Sequence, residues 1–289
     1  MAYSVVVKEL KSSDGNKIYA EAIGDPSKPS IILVHGIMLS CAIWDNLFED
    51  QKLVERLYLI RYDVRGHGRS GKPDSIEGHA SSLYAADFKT VADAFGAKKP
   101  LEGTTGADIC AHLDPIPLAG MVYMCALPYV DPALIQAVAT PALLNVAKGV
   151  TVDDNAVSAI DSRIKFTEAL FRDHHSVPWK TKLTCLGSST LMAPRDCRFV
   201  ISRPQNEEKL MEAGRNGMPL LVIVAAHDEV VNGEVAVKTF EPHFTRIEVK
   251  RISNSGHAAH IDQQDEFVNV LLEFTLGCKH LSNKLYAVL

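Results

Sequence analysis

Short unbroken apolar runs, each followed at once by a polar or glycine-rich turn, constrain this 289-residue chain more than any other feature. Pro219 to Ala226 (PLLVIVAA) is the most apolar, and Ser30 to Val34 (SIILV) and Leu57 to Asp63 (LYLIRYD) share its character. Such runs suit strands buried on both faces, as in a parallel sheet covered by helices. Helical spacing lies between them. Phe88, Val91, Ala92 and Phe95 fall at i, i+3, i+4, i+7 and lead to Gly96; Phe267, Val270, Leu271 and Phe274 repeat the spacing, and Gly277 is expected to end that closing helix. Val5 to Ile23 alternates around Ser13-Asp14-Gly15-Asn16, which predicts a leading hairpin, and Leu118 to Leu127 and Arg246 to Arg251 read as further strands. The expected fold is α/β, a mostly parallel central sheet flanked by helices, with its sites at the carboxyl ends of the strands.

From 131 to 213 the pattern changes to helical stretches (Ala133 to Val146, Ala156 to Phe171) broken by Pro and Gly, with no buried strand. This block reads as a helical insertion in one domain over 1–289, with core 5–130 and 214–277 and a tail, 278–289, without an obvious role. Hydrophobic residues at 47% and charged ones at 22% exclude a disordered chain. A net charge of -5 and no run of five Lys/Arg leave nucleic-acid binding without its electrostatic drive. No stretch reaches about 18 uninterrupted apolar residues, so no membrane span is expected. Met1 to Lys11 lacks a basic segment followed by an apolar core, and the six cysteines lack CxxC spacing. A cytoplasmic protein with reduced, buried thiols is expected, Cys110 the clearest of them. Neither GxxxxGK[ST] nor GxGxxG follows a strand, and neither HExxH nor an HxHxDH cluster occurs, so His257-Ala258-Ala259-His260 and Asp173-His174-His175 take ordinary roles. No cofactor and no metal are expected.

Four strand ends carry distinctive residues. They are His35-Gly36-Ile37, then Asp63-Val64-Arg65-Gly66-His67-Gly68-Arg69-Ser70, then Asp228, then Gly256-His257. In this order the segments resemble the α/β-hydrolase superfamily, in its branch of esterases, cofactor-free haloperoxidases and epoxide hydrolases. The resemblance implies that His257 is the general base and that Asp228 holds its tautomer and stabilises the imidazolium, with Asp131 an alternative acid. It also implies that the Ile37 N–H supplies half of an oxyanion hole. Arg65 and its neighbours are expected to set a structural turn.

The resemblance calls for a Gly-x-Ser-x-Gly elbow between Gly96 and Leu118, and none of the 18 glycines begins one. The nearest substitute is Gly103-Thr104-Thr105-Gly106-Ala107, with Thr105 as a weak candidate nucleophile. Lys98-Lys99-Pro100-Leu101-Glu102-Gly103 offers one apolar residue where a buried strand should launch the turn, and Pro and Glu suit a central strand poorly. The chain reads as passing from KKP almost directly to the next helix, a deletion of about six to eight residues. A lost central strand would leave its neighbours about 10 Å apart.

Two readings follow. One is a hydrolase-family protein whose intact form cleaves a carboxylic ester or related small apolar substrate by Ser-His-Asp chemistry and whose present chain is inactive or nearly so. The other is a non-catalytic protein that keeps the pocket and binds a small apolar, ester-like ligand. A third keeps catalysis, with His257 activating water directly.

Overall fold

The computed structural model describes residues 3–98, 101–102 and 105–285. Among the described residues one sheet holds eight strands: β1 (Val6–Lys11), β2 (Lys17–Ile23), β3 (Ser30–Val34), β4 (Tyr58–Tyr62), β5 (Leu101–Glu102), β6 (Gly120–Met124), β7 (Leu220–Ala225) and β8 (Ile247–Ile252). Their spatial order is β1-β2-β4-β3-β5-β6-β7-β8. The pairings β1–β2 and β2–β4 are antiparallel, and the remaining pairs are parallel.

Alternation along the apolar strands explains why both faces are covered. On β3, Ile31 and Leu33 enter one core and Ile32 and Val34 the other; on β7, Leu221 and Ile223 oppose Leu220 and Val222. A strand with no polar face needs helices on both sides, and Ser81–Phe95 supplies one with Tyr84, Phe88 and Val91 buried. Gly96 closes that helix with φ +64, the left-handed stop its sequence position predicts.

Three expectations need correction. First, the central strand is not missing: Leu101–Glu102 form β5, which pairs Ile31 of β3 on one side and Gly120 and Met121 of β6 on the other. Main-chain pairing requires no particular side chain, so Leu101 and Glu102 join the two halves of the sheet without an apolar run. Lys99, Pro100, Gly103 and Thr104 lie outside the described residues. Second, the closing helix runs from Gln264 to Leu285, past Gly277. A helical glycine costs only about 1 kcal/mol relative to alanine, and burial of Phe274 and Cys278 on either side offsets it. Third, the first helical stretch of the insertion is two helices, Pro132–Val138 and Pro141–Val150, because Pro141 starts a helix readily at its first turn and Thr140 caps it.

The insertion continues through helices Ala156–Ala169, Trp179–Thr190 and Pro194–Ser202 before Glu208–Arg215 leads into β7. Among the described residues no helix is long and apolar enough to cross a membrane. All six cysteines are free and buried.

Candidate functional site

The carboxyl ends of β3, β4, β6, β7 and β8 place His35, Asp63, Cys125, Asp228 and His257 on one edge of the sheet. Two of the turns are structural. His35 Nε2 accepts the Val64 N–H at 3.0 Å, tying the end of β3 to that of β4, and burial pushes its pKa down. Asp63 accepts the N–H groups of Cys41 (2.7 Å) and Arg69 (2.8 Å). Gly68 has φ +46, and a Cβ there would collide with the Asp63 carboxylate, so the turn requires glycine. Arg65 is fully buried and forked onto Asp87 through two 2.7 Å bonds, with Gly78 O at 2.7 Å and Asp14 at 3.0 Å. It anchors the loop, as its sequence context predicts.

The other two turns meet. His257 Nδ1 lies 3.0 Å from Asp228 Oδ2, while Asp228 Oδ1 accepts the N–H groups of Val230 (2.8 Å) and Val231 (2.9 Å). Burial would raise the Asp228 pKa, but the charge of His257 and these hydrogen bonds outweigh it and hold the carboxyl below its ordinary value. Both loops are fastened to the insertion. Val138 O accepts the Asn232 N–H at 2.7 Å, and Ala139 bridges Val231. Leu170 O accepts the Ala258 N–H at 2.7 Å, and Asp262 Oδ2 binds the N–H groups of both Gly256 (2.7 Å) and Arg172 (2.8 Å). A Cβ on Gly256 would stand 2.5 Å from Arg172 N, so the His257 loop lies directly on the end of an insertion helix.

His257 opens onto a cavity of about 300 Å³. Four consecutive residues of β3, Ile31 to Val34, line it, although alternate ones belong to opposite cores. The cavity therefore passes through the plane of the sheet. Next to β3, β5 pairs with Ile31 on one side and with Gly120 and Met121 of β6 on the other. Val138, Phe166 and Leu170, from the helices between β6 and β7, line it, and Arg203 and Gln205 make a second polar pole, both bonded to buried Asp108 (3.2 and 2.7 Å).

The remaining candidates fall in different places. Ile37 lies on the cavity wall, partly buried. Thr105 is buried at the start of helix Gly106–His112, with unstrained φ -100, and is not among the cavity-lining residues. The other residues of its would-be elbow include Gly103 and Thr104, outside the described residues. Asp131 caps helix Pro132–Val138 by accepting the Leu134 N–H at 2.8 Å, so its carboxylate already has a structural partner. His260 turns away from His257 to Ile43 O (3.0 Å), and His174 stacks on His175 at 4.0 Å. The residue that sequence reading passed over is Cys125, at the end of β6 with φ +48, where Cys125, Asp228 and His257 bring ligand atoms within 4.8 Å of one another. Its only sequence signal is its place directly after an apolar strand.

The order of strands and strand-end turns agrees with what comparison with known proteins finds. A model of the Alpha/beta hydrolase family matches residues 31–270. The chain belongs to that family. This hydrolase-family chain superposes on the esterase RhEst1 from Rhodococcus sp. ECU1013 with a TM-score of 0.81 at 24% identity, covering 93% of this chain and 98% of that one. At that identity the likeness carries the fold alone. The pimeloyl-[acyl-carrier protein] methyl ester esterase of Vibrio vulnificus is 24% identical over 272 residues, 85% of this chain and 94% of that protein. A Mycobacterium tuberculosis protein named as the oxidoreductase EphD is 36% identical over 92 residues, 32% of this chain and 15% of that protein. The hydrolase-family chain thus spans a small part of that relative's length.

Proposed function

We propose that this hydrolase-family chain binds a small apolar, ester-like ligand in the cavity under its helical insertion, which serves as a lid, and that it lacks serine-type turnover. In this reading His257 is the retained base, Asp228 its orienting acid and the Ile37 N–H a surviving half of the oxyanion hole. The observation that carries it is that a His257–Asp228 pair at 3.0 Å opens onto an apolar cavity beside the central strand β5. No Gly-x-Ser-x-Gly segment stands after that strand in the sequence. An intact elbow would present a serine to His257 and a second oxyanion donor from the following residue. Without both, the acyl-enzyme route loses its nucleophile and half of its charge stabilisation. The ester-directed names of the Rhodococcus and Vibrio proteins support an ester-like ligand.

The test is the intact mass of the full chain before and after a fluorophosphonate probe, alongside an activated short-chain ester assay. The expected outcome is no adduct and no turnover. Stoichiometric labelling at Thr105 or at any serine would overturn it. The apolar cavity also favours a purely ligand-binding role, whose mark is tight binding with no hydrolysis. Slow, pH-dependent hydrolysis that disappears in His257→Ala would instead assign direct activation of water.

A further inference from the structure

We propose that Cys125, Asp228 and His257 form a binding site for one thiophilic divalent cation, Zn²⁺ foremost, with an open coordination position facing the cavity. Three chemically different donors converge here: a thiol, a carboxylate and an imidazole whose ligand atoms all lie within 4.8 Å of one another. In a tetrahedral zinc site with bonds of about 2.0–2.3 Å, adjacent donors stand roughly 3.4–3.6 Å apart, so the widest pair closes by at most about 1.4 Å. The pair His257 Nδ1 and Asp228 Oδ2 is already at 3.0 Å.

The scaffold holds these donors from rigid positions. Cys125 follows β6 directly, its N–H bonded to Ile223 O of β7 at 3.0 Å, and its φ of +48 is a left-handed conformation that non-glycine residues seldom adopt. Asp228 Oδ1 is committed to the Val230 and Val231 N–H groups, which leaves Oδ2 as the oxygen to offer. Such outer hydrogen bonds orient a ligating carboxylate. The site also has a charge reason to take a cation. Asp228 is buried to 3% side-chain exposure, and Arg203, the one Arg or Lys among the described cavity-lining residues, is paired with Asp108 at 3.2 Å. A divalent ion bound by one thiolate, one carboxylate and one neutral imidazole is neutral overall. Binding releases the Cys125 thiol proton to solvent and moves the imidazole proton from Nδ1 to Nε2, so that Nδ1 offers its lone pair. Sulfur and nitrogen donors select zinc or cobalt over magnesium or calcium. Cys125 and His257 both line the cavity, so the fourth position points into it, as in three-ligand zinc sites that keep one position open.

The experiment loads the full chain with Zn²⁺, removes excess ion by desalting and measures metal per chain, then repeats the loading with Co²⁺ and records the absorption spectrum. One equivalent retained, with a thiolate-to-cobalt charge-transfer band, is expected. Cys125→Ser should abolish that band and weaken binding by more than roughly tenfold, and His257→Ala should weaken it similarly. Cys185→Ser, in the insertion, should change neither. A wild-type cobalt complex without the sulfur band would overturn the proposal whether or not the variants fold. So would binding that survives Cys125→Ser and vanishes in a His174→Ala, His175→Ala double variant, which places the ion on the stacked histidine pair. Neither readout uses ester turnover or ligand binding, so this result stands apart from the proposed function.

Discussion

The β7–β8 side of the sheet and its centre at β5 solve the same structural problem with very different means. β7 and β8 pair over six residues each, and the loops beyond them deliver Asp228 and His257 to within hydrogen-bond distance. Among the described residues β5 pairs with Ile31 of β3 and with Gly120 and Met121 of β6, and no apolar run marks it in the sequence. The difference teaches that continuity of a sheet and completeness of a site are separate achievements. Main-chain pairing joins the halves whatever the side chains, whereas an elbow needs a particular nucleophile and glycines around it. The loops around the centre are held instead by side-chain anchors, above all Arg65.

If that anchoring holds the loops at the site, Asp87→Ala should have the largest effect. It leaves the fully buried Arg65 guanidinium without its forked partner and should cost about 3–5 kcal/mol in urea unfolding. A loss below 1 kcal/mol would mean that Asp14 and Gly78 suffice. Next, Ile223→Ala on fully paired β7 should cost about 2–5 kcal/mol, while Leu33→Ala on the cavity wall of β3 should fall at or below the low end of that range, since Leu33 already faces empty space. Equal losses would break the comparison.

Acid should weaken both regions. Burial, together with the positive charge of a neighbouring histidine, pushes the pKa of His67 down to about 3 and that of His260 to about 4. The unfolded chain takes up protons near pH 6.5 that the folded rings exclude. Their contribution is therefore whole above that pH and is lost progressively as pH falls from about 6.5 toward 4 and 3. Lowering the pH from 7 to 5 should cost on the order of 2 kcal/mol per ring. Thermal melts at the two pH values check this, and His260→Gln should reduce the difference. The smallest effect is expected at Asp131→Ala, which removes a helix cap and should cost about 1 kcal/mol while leaving Co²⁺ uptake at Cys125 unchanged.

Legibility followed periodicity. β3, β4 and β7 were readable as apolar runs, and helix Ser81–Phe95 as a repeating stripe with a glycine stop, because burial on both faces or on one stripe leaves a pattern in the residues themselves. Asp228 and His257 were readable only through their order relative to His35 and the Asp63 turn, as a resemblance. β5 was not legible, since Lys98-Lys99-Pro100-Leu101-Glu102-Gly103 holds one apolar residue and so shows no period. The split at Pro141 was visible in principle and was masked by the apolar residues on both sides of it.

The order of buried strands, the amphipathic helices and the absence of a Gly-x-Ser-x-Gly segment belong to the sequence by itself, because each depends on residue type and spacing along the chain. The through-sheet cavity and the approach of Cys125 to Asp228 and His257 belong to the tertiary structure. They depend on which strands become neighbours and where each one stops. Cys125 reaches the pair because β6 lies beside β7, and main-chain hydrogen bonds that establish such a neighbourhood carry no side-chain signature.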